Sequence, residues 1–166
     1  MTICNIDDTI TQIKAGQRLM GLDVGKKTIG IALGDPGHKI ASPHRILWRQ
    51  KFSTDMAELF NEMEALAVGG LVIGWPLLMN GDKGPACDSV RDFAHAIMRI
   101  KDVPVMIQDE RLSTHAVEKS MIEADLTRTK RHNKRDTLAP SWILQSAFDQ
   151  YQHRYQHKKI KILHEY

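Results

Sequence analysis

The chain has 166 residues, of which 42% are hydrophobic and 26% charged, and this size and balance are typical of one globular domain. It contains no run of about 18 apolar residues, which excludes a transmembrane helix, and its start lacks the features of a secretory signal. The two cysteines, Cys4 and Cys87, are too few for a disulfide framework or a zinc cluster. We therefore expect a reduced, cytoplasmic setting.

Basic side chains are concentrated near the end of the chain. Residues 127–166 contain nine Lys or Arg and three Asp or Glu, although the formal net charge of the whole chain is only +3. This asymmetry is typical either of a protein that binds a polyanion or of one with a solubilising basic tail. We expect a poorly packed extension over residues 1–17, one domain over 18–151 and a basic tail over 152–166.

The first third of the chain predicts antiparallel strands. Apolar runs over residues 19–24 and 28–33 predict two strands joined in a hairpin, because the segment between them is short. Residues 40–48 predict a third strand, in which Pro43 indicates an edge position or a bulge.

The period of the apolar pattern then changes from two residues to that of a helix. Residues 56–67 predict a helix that is capped by Ser53, Thr54 or Asp55 and ended by Gly69–Gly70.

A buried strand, a loop and a second helix are predicted next. Residues 71–73 form the strand and residues 74–85, rich in turn formers, form the loop. A strand over residues 105–108 follows the second helix, whose apolar stripe consists of Val90, Phe93, Ala94, Ile97 and Met98.

The remaining residues predict two more helices and a basic connector. A helix capped by Ser113 or Thr114 is followed by the basic connector, residues 128–135. The last helix reaches about His153, and residues 158–162 are expected to form a short strand or to stay loose. Together these elements predict an α/β fold: a mixed sheet of five strands, three antiparallel and then parallel, with helices on both faces.

Asp23 is the first candidate for chemistry, because it interrupts an apolar run near a strand end. A buried carboxylate is costly unless it is paired or bound to a cation. Gly25 and Gly30 leave room beside it for a phosphate or a metal ion. The alternative is an Asp that bonds only to turn amides.

Further acidic residues lie at other predicted element ends. Asp109 and Glu110 end an apolar strand, and because side chains alternate, at most one of them faces the same site as Asp23. Arg111 can neutralise this pair or hold a phosphate, and the alternative is a solvated turn. Asp136 is predicted to open the last helix, either as a simple N-cap or as a third acidic group near the strand ends.

Three separated carboxylates are suited to a magnesium-dependent phosphodiesterase. Mg²⁺ prefers hard oxygen ligands, and two ions about 4 Å apart can activate a water and stabilise the leaving oxygen. The basic connector would then bind the flanking phosphate backbone in a salt-dependent way. Mn²⁺ is a candidate substitute for Mg²⁺.

Five segments resemble, in order, the motifs of one known family, the YqgF/RuvX family. They are residues 20–36, 41–43, 72–81, 109–114 and 136–145, within a match from about Arg18 to Tyr151. The resemblance implies an RNase H-like fold of the Holliday-junction-resolvase type and a nuclease that matures the 5′ end of pre-16S ribosomal RNA. It implies a catalytic acidic site of Asp23, one or both of Asp109 and Glu110, and Asp136, in which Asp23, Glu110 (or Asp109) and Asp136 are the metal ligands.

The sequence departs from the family pattern in two places. The loop has Trp75 where Leu is usual, Leu78 where Asn is usual and Asn80 where Asp is usual. Pro140 stands where Ala is usual, and this predicts that the last helix begins near Asp136 or Thr137, or else kinks.

From these observations we expect a cytoplasmic, Mg²⁺-dependent endonuclease that acts on structured RNA. The expected partners are nucleic acid, pre-rRNA rather than a DNA junction, and ribosomal particles; no membrane partner is expected, and the chain is expected to be a monomer or a weak homodimer. The alternatives are a Holliday junction DNA resolvase and a non-catalytic RNA-binding assembly factor. The candidate contacts to the nucleic-acid backbone are Lys26, Lys27, Arg111, Lys130, Arg131, Lys134 and Arg135.

Overall fold

The computed structural model describes residues 3–76, 80–109 and 128–164, the last range with side chains at 137–162. Five strands form one sheet: β1 (Arg18–Val24), β2 (Thr28–Gly34), β3 (Ala41–Trp48), β4 (Val68–Trp75) and β5 (Val105–Asp109). Their order is β3-β2-β1-β4-β5. Strand β2 is antiparallel to both of its neighbours, β1 and β3, whereas β4 and β5 run parallel to β1. The predicted mixed sheet is therefore confirmed.

The third strand lies at an edge of the sheet and contains Pro43. The pairing register shifts between Ile31 and Ala32, and Ala32 pairs with Pro43. An edge strand tolerates proline because its outer side has no partner that needs an N–H donor. Both parts of the Pro43 prediction, an edge position and a local irregularity, are confirmed.

Two helices, α2 (Phe52–Ala65) and α3 (Pro85–Ile100), cover one face of the sheet. We call it the α2–α3 face. The predicted stripe of α3 is buried in that core: Val90, Phe93, Ala94, Ile97 and Met98 are each at most 7% exposed. The apolar spacing of α3 therefore predicted its buried side correctly.

The predicted ends of α2 are wrong. Its N-cap is Lys51, which makes no side-chain cap bond, and the Asp55 carboxylate instead accepts a hydrogen bond from the backbone N–H of Gln50 at 3.0 Å. The helix ends before Gly69–Gly70, which lie inside β4. Ala67, with a φ of 54°, makes the left-handed turn for which the sequence favoured a glycine.

The first 17 residues do not form the poorly packed extension that we expected. They contain α1 (Ile6–Gln12), whose N-cap Asn5 accepts a hydrogen bond from the Asp8 N–H at 2.9 Å. Ile6 and Thr9 are 1% and 0% exposed. The segment packs well because the apolar side of α1 joins the core on the second face of the sheet.

The last helix, α4 (Arg128–His164), differs most from prediction, because it begins eight residues before Asp136 and continues past His153. The basic connector and the segment 158–162 are both helical. Lys, Arg and Gln are good helix formers, so a polar stretch can extend a packed helix without an apolar stripe. Pro140 lies inside the helix rather than in its first turn, so the predicted start near 136 is wrong.

Helix α4 covers the second face of the sheet, which we call the α4 face. Its buried residues Ile143, Leu144, Ala147 and Phe148 pack with α1 and with the sheet residues on that face. The helix predicted from Ser113 or Thr114 lies outside the described residues. In the described part of the chain, no helix combines the length and the apolar character needed to cross a membrane.

Candidate active site at the strand ends

The candidate residues that the structure describes with side chains, Asp23, Lys26, Lys27 and Asp109, lie at one edge of the sheet. Strands β1, β4 and β5 are parallel and end there, β2 begins there, and β3, antiparallel to β2, also ends there. In open α/β sheets, the carboxyl ends of the strands are the usual location of a ligand site. We call this edge the site edge.

Asp23 is the penultimate residue of β1, is half-buried and pairs with Gly30 of β2. Strand alternation places Asp23 on the same face as Gly21, which is the α4 face. A Cβ atom at Gly21 would lie 2.8 Å from the carbonyl oxygen of Pro140 and 2.9 Å from Cβ of Leu144. The backbone of α4 is therefore almost in contact with β1, two residues before Asp23.

The backbone register of α4 can be followed along β1. A Cβ atom at Gly34, beside Leu19, would lie 2.8 Å from Cε2 of Phe148, whereas Gly21 faces Leu144 and Pro140. The helix therefore runs antiparallel to β1. Residue 136 is four residues before Pro140 on the helix, a distance of about 6 Å along the helix axis. Asp23 is two residues after Gly21 on the strand, a distance of about 7 Å. The backbone of α4 therefore brings residue 136 towards the level of Asp23.

Asp109 lies on the other face of the sheet. It pairs with Trp75 at the end of β5. Val105 and Ile107 of the same strand pack in the core of the α2–α3 face, so alternation places Asp109 on that face and away from Asp23. Glu110 and Arg111 lie outside the described residues.

The turn between β1 and β2 presents two exposed lysines, Lys26 and Lys27, at the site edge. The Gly25 N–H donates to the Thr28 carbonyl at 2.8 Å. Arg49, just after β3, fixes the turn from outside: its N–H donates to the Lys27 carbonyl at 2.9 Å and its Nη1 to the Gly25 carbonyl at 2.8 Å. The side chains of the other candidate contacts lie outside the described residues: Lys130, Arg131, Lys134 and Arg135.

Aromatic side chains also lie at the site edge. The Lys83 Nζ lies 5.0 Å from the ring centroid of Trp75. The buried Nε1 of Trp75 has no hydrogen-bond partner among the described residues. The Arg49 guanidinium lies 5.7 Å from the ring centroid of Phe93. Trp48, the last residue of β3, is 71% exposed. Trp48 and Arg49 were not among the candidate residues predicted from the sequence, although a Trp–Arg pair at the end of an apolar strand was a visible signal.

The described side chains contain no group of three or more His, Cys, Asp or Glu that could hold a metal ion. Among the described residues, Asp23 supplies a carboxylate oxygen on the α4 face of the site edge, and Mg²⁺ prefers such hard oxygen ligands. The other two expected ligands, Glu110 and Asp136, have side chains outside the described residues. The donor chemistry of the site is therefore compatible with Mg²⁺.

Comparison with known proteins identifies the class. The sequence profile of the RuvX family, described as Holliday junction resolvase, matches residues 17–150. Most of the chain lies within this match, and the chain belongs to the RuvX family. The predicted family is thus confirmed.

Individual relatives are similar over nearly their whole length. A protein of Acidiphilium cryptum named "Putative pre-16S rRNA nuclease" is 43% identical over 149 residues, covering 90% of this chain and 94% of the relative. One of Paramagnetospirillum magneticum with the same name is 43% identical over 142 residues, covering 86% and 92%. Both the family description and these names denote enzymes that cut nucleic acid.

A solved structure is also similar. It is T. thermophilus RuvC in complex with a Holliday junction substrate, with a TM-score of 0.49 and 9% identity, covering 81% of this chain and 96% of that one. At this identity the similarity says nothing about the substrate of the present chain.

Proposed function

We propose that this protein is a Mg²⁺-dependent endonuclease that cuts structured RNA in the cytoplasm and processes the 5′ end of pre-16S rRNA. The observation that carries the proposal is the position of Asp23, at the end of the central strand and on the face where the backbone of α4 almost touches that strand. The names of the relatives indicate the rRNA substrate.

Three carboxylates would hold the metal: Asp23, Glu110 and Asp136. Asp109 lies on the α2–α3 face, so in this proposal we take Glu110, the next residue in the chain, rather than Asp109 as a metal ligand. Asp136 precedes Pro140 by one helical turn, and Pro140 contacts β1 at Gly21. These two positions support a site shared by β1, the end of β5 and α4.

When bound, Mg²⁺ supplies Lewis-acid polarisation of the phosphate and a source of nucleophilic water. The chain supplies negative charge at Asp23 that binds the ion, and positive charge at Lys26 and Lys27 that binds phosphates on either side of the cleaved bond. The basic first turns of α4, residues 128–135, extend this positive surface in the proposal. The chain is proposed to work as a monomer or a weak homodimer, in contact with ribosomal particles.

Cleavage of defined substrates tests this function. Wild-type protein and Asp23→Asn are incubated with a precursor 16S rRNA fragment in Mg²⁺, in Mn²⁺ and in EDTA. The expected result is site-specific cleavage by the wild type that leaves a 5′-phosphate, needs a divalent ion and is lost in Asp23→Asn. The control is Asp102→Asn, an exposed carboxylate just before β5 and so at the opposite end of the sheet. Equal cleavage by Asp23→Asn and wild type would refute the proposal.

A second candidate, resolution of a four-way DNA junction, is favoured by the description of the family. The same metal site would serve both substrates, so the substrate has to be varied rather than the protein. Faster cleavage of a four-way DNA junction than of the rRNA fragment, at equal concentration, would assign the DNA function instead. Metal-independent RNA binding without cleavage of either substrate would indicate a non-catalytic assembly factor.

A further inference from the structure

Trp48 occupies an unusual position for a tryptophan. Its side chain is 71% exposed, although tryptophan is on average highly buried and presents a large apolar surface. Of the other aromatic rings described near the site edge, Phe93 and Trp75 each have a cation near the ring, and Phe52 packs against Phe93 with the ring centroids 6.0 Å apart. An exposed ring at the mouth of a candidate active site offers a flat surface to a ligand.

The indole lies on the same face of the sheet as Asp23. Leu47 is 2% exposed and packs in the core of the α2–α3 face, so Trp48 points to the α4 face. Asp23 pairs with Gly30, and Thr28 pairs with Trp48, two residues nearer the site edge. Two strand spacings and two residues separate Asp23 from Trp48, a Cα distance of about 12 Å.

On the α4 face, β2 carries no bulky side chain between these two residues. Gly30, directly beside Asp23, has no side chain, and Gly25 and Thr28 continue the same face towards the turn. A chain of nucleotides could therefore extend from Asp23 to Trp48 without meeting a bulky side chain on β2. The Cα distance of about 12 Å between Asp23 and Trp48 corresponds to a few nucleotides at most.

The position of Trp48 is fixed by the turn next to it. The N–H of Arg49 donates to the Lys27 carbonyl, and Nη1 of Arg49 donates to the Gly25 carbonyl. The backbone of Trp48 is therefore held next to the turn that carries the exposed Lys26 and Lys27. An exposed aromatic ring near positive charge is the combination that binds single-stranded nucleic acid, with bases on the ring and phosphates on the cations.

We propose that Trp48 is a base-stacking subsite that binds an unpaired nucleobase of the RNA, close to the phosphate cut at Asp23. This inference rests on the proposed function and deepens it: the substrate must be single-stranded on one side of the cleaved bond. The positive charge around the ring favours nucleic acid over an apolar peptide as its occupant.

Binding measurements test the subsite in the absence of cleavage. The probe is a fluorescein-labelled, unstructured RNA of twelve nucleotides, titrated in EDTA at low salt and followed by anisotropy; the same RNA in a perfect duplex is the comparison. Trp48→Ala is expected to weaken single-strand binding about 5- to 150-fold, as loss of one stacked base does. Trp48→Phe, which keeps an aromatic ring, is expected to restore most of the affinity. Duplex binding is expected to change less than twofold.

The control is Tyr155→Ala, which removes another aromatic side chain, 56% exposed, from the far part of α4. It is expected to bind the probe like the wild type. Unchanged single-strand affinity in Trp48→Ala, equal losses for single strand and duplex, or no binding of the probe by the wild type would each overturn the subsite. The proposed function fails by a different result, equal cleavage by wild type and Asp23→Asn.

Discussion

The carbonyl oxygen of Pro140 lies 2.8 Å from the position that a Cβ atom would occupy at Gly21. No side chain separates the long helix from the central strand at this point. The contact lies two residues before Asp23 on β1 and one helical turn after residue 136 on α4. The close packing of these two backbones is the observation on which we propose an acidic site shared by β1 and α4.

Gly21→Ala tests this contact. The added Cβ would meet a backbone carbonyl and the Cβ of Leu144, and neither atom can move without displacing α4. We expect a loss of about 1–3 kcal/mol in the free energy of unfolding, measured by urea denaturation, together with reduced cleavage. The control is Gly69→Ala, whose added Cβ would meet only side-chain atoms of Gln17. An equal or smaller loss for Gly21→Ala than for this control would contradict the contact.

The two adjacent acids at the end of β5 are expected to differ in their effect on cleavage. Since Asp109 lies on the α2–α3 face, Asp109→Asn should retain most of the single-turnover rate. Glu110→Gln should lower it by at least 100-fold, because a metal ligand is removed. The measurement is single-turnover cleavage of the rRNA fragment at saturating Mg²⁺. A larger loss of rate in Asp109→Asn than in Glu110→Gln would contradict the proposal that Glu110, rather than Asp109, is the metal ligand.

The exposed lysines of the β1–β2 turn are expected to set part of the salt dependence of RNA binding. Each lysine that contacts a phosphate contributes a little less than one to the slope of log K against log salt. Lys26→Ala and Lys27→Ala should each lower this slope by about that amount for single-stranded RNA. Lys14→Ala is the control, because Lys14 is exposed before β1, away from the site edge. An unchanged slope in both turn variants would remove the turn from the interface.

An ion cluster between β3 and α2 predicts how stability depends on pH. Burial raises the pKa of Glu62, but hydrogen bonds from Arg45 and His44 outweigh that effect, and the net pKa lies below its ordinary value of 4.5. Glu62 therefore stabilises the fold above about pH 4.5, and this contribution is lost as the pH falls through its lower, folded-state pKa.

Glu62→Gln should lower the free energy of unfolding at pH 7 by about 1 kcal/mol or less, because the pair is partly exposed. The difference between variant and wild type should shrink as the pH falls below 4.5. Urea denaturation between pH 3 and 7 measures this difference in the free energy of unfolding. The control is Glu64→Gln, because Glu64 is exposed. A difference that stays constant over this range would contradict the assignment.

The sequence predicted those elements whose apolar spacing is imposed by burial. The apolar stripe of α3 and the apolar runs of β1 and β2 face packed cores, so the spacing of their apolar residues predicts the secondary structure directly. The capping of α2 was not predictable in this way, because several polar residues compete at a helix start and the bond from Gln50 to Asp55 depends on the path of the preceding chain.

The two ends of the chain were misjudged for opposite reasons. In α1 the signal was present, since Asn5 can cap a helix and Ile6, Ile10 and Ile13 share one side. In α4 the signal was misleading: Asp136 and Pro140 both favour a helix start, but the helix begins at Arg128, where the sequence has no apolar stripe. Of the site, the sequence predicted Asp23 at a strand end; the exposure of Trp48 follows from the edge position of β3, which is tertiary information.

The central claim is that the carboxylates of Asp23 and Asp136 act in one metal site. Single-turnover cleavage of the rRNA fragment by wild type, Asp23→Asn, Asp136→Asn and the double variant tests it most directly, because residues that act as a unit lose activity non-additively. We expect each single variant to lose at least 100-fold in rate and the double variant to be no slower than the slower single variant. Wild-type cleavage by Asp136→Asn, or losses that simply multiply in the double variant, would contradict it.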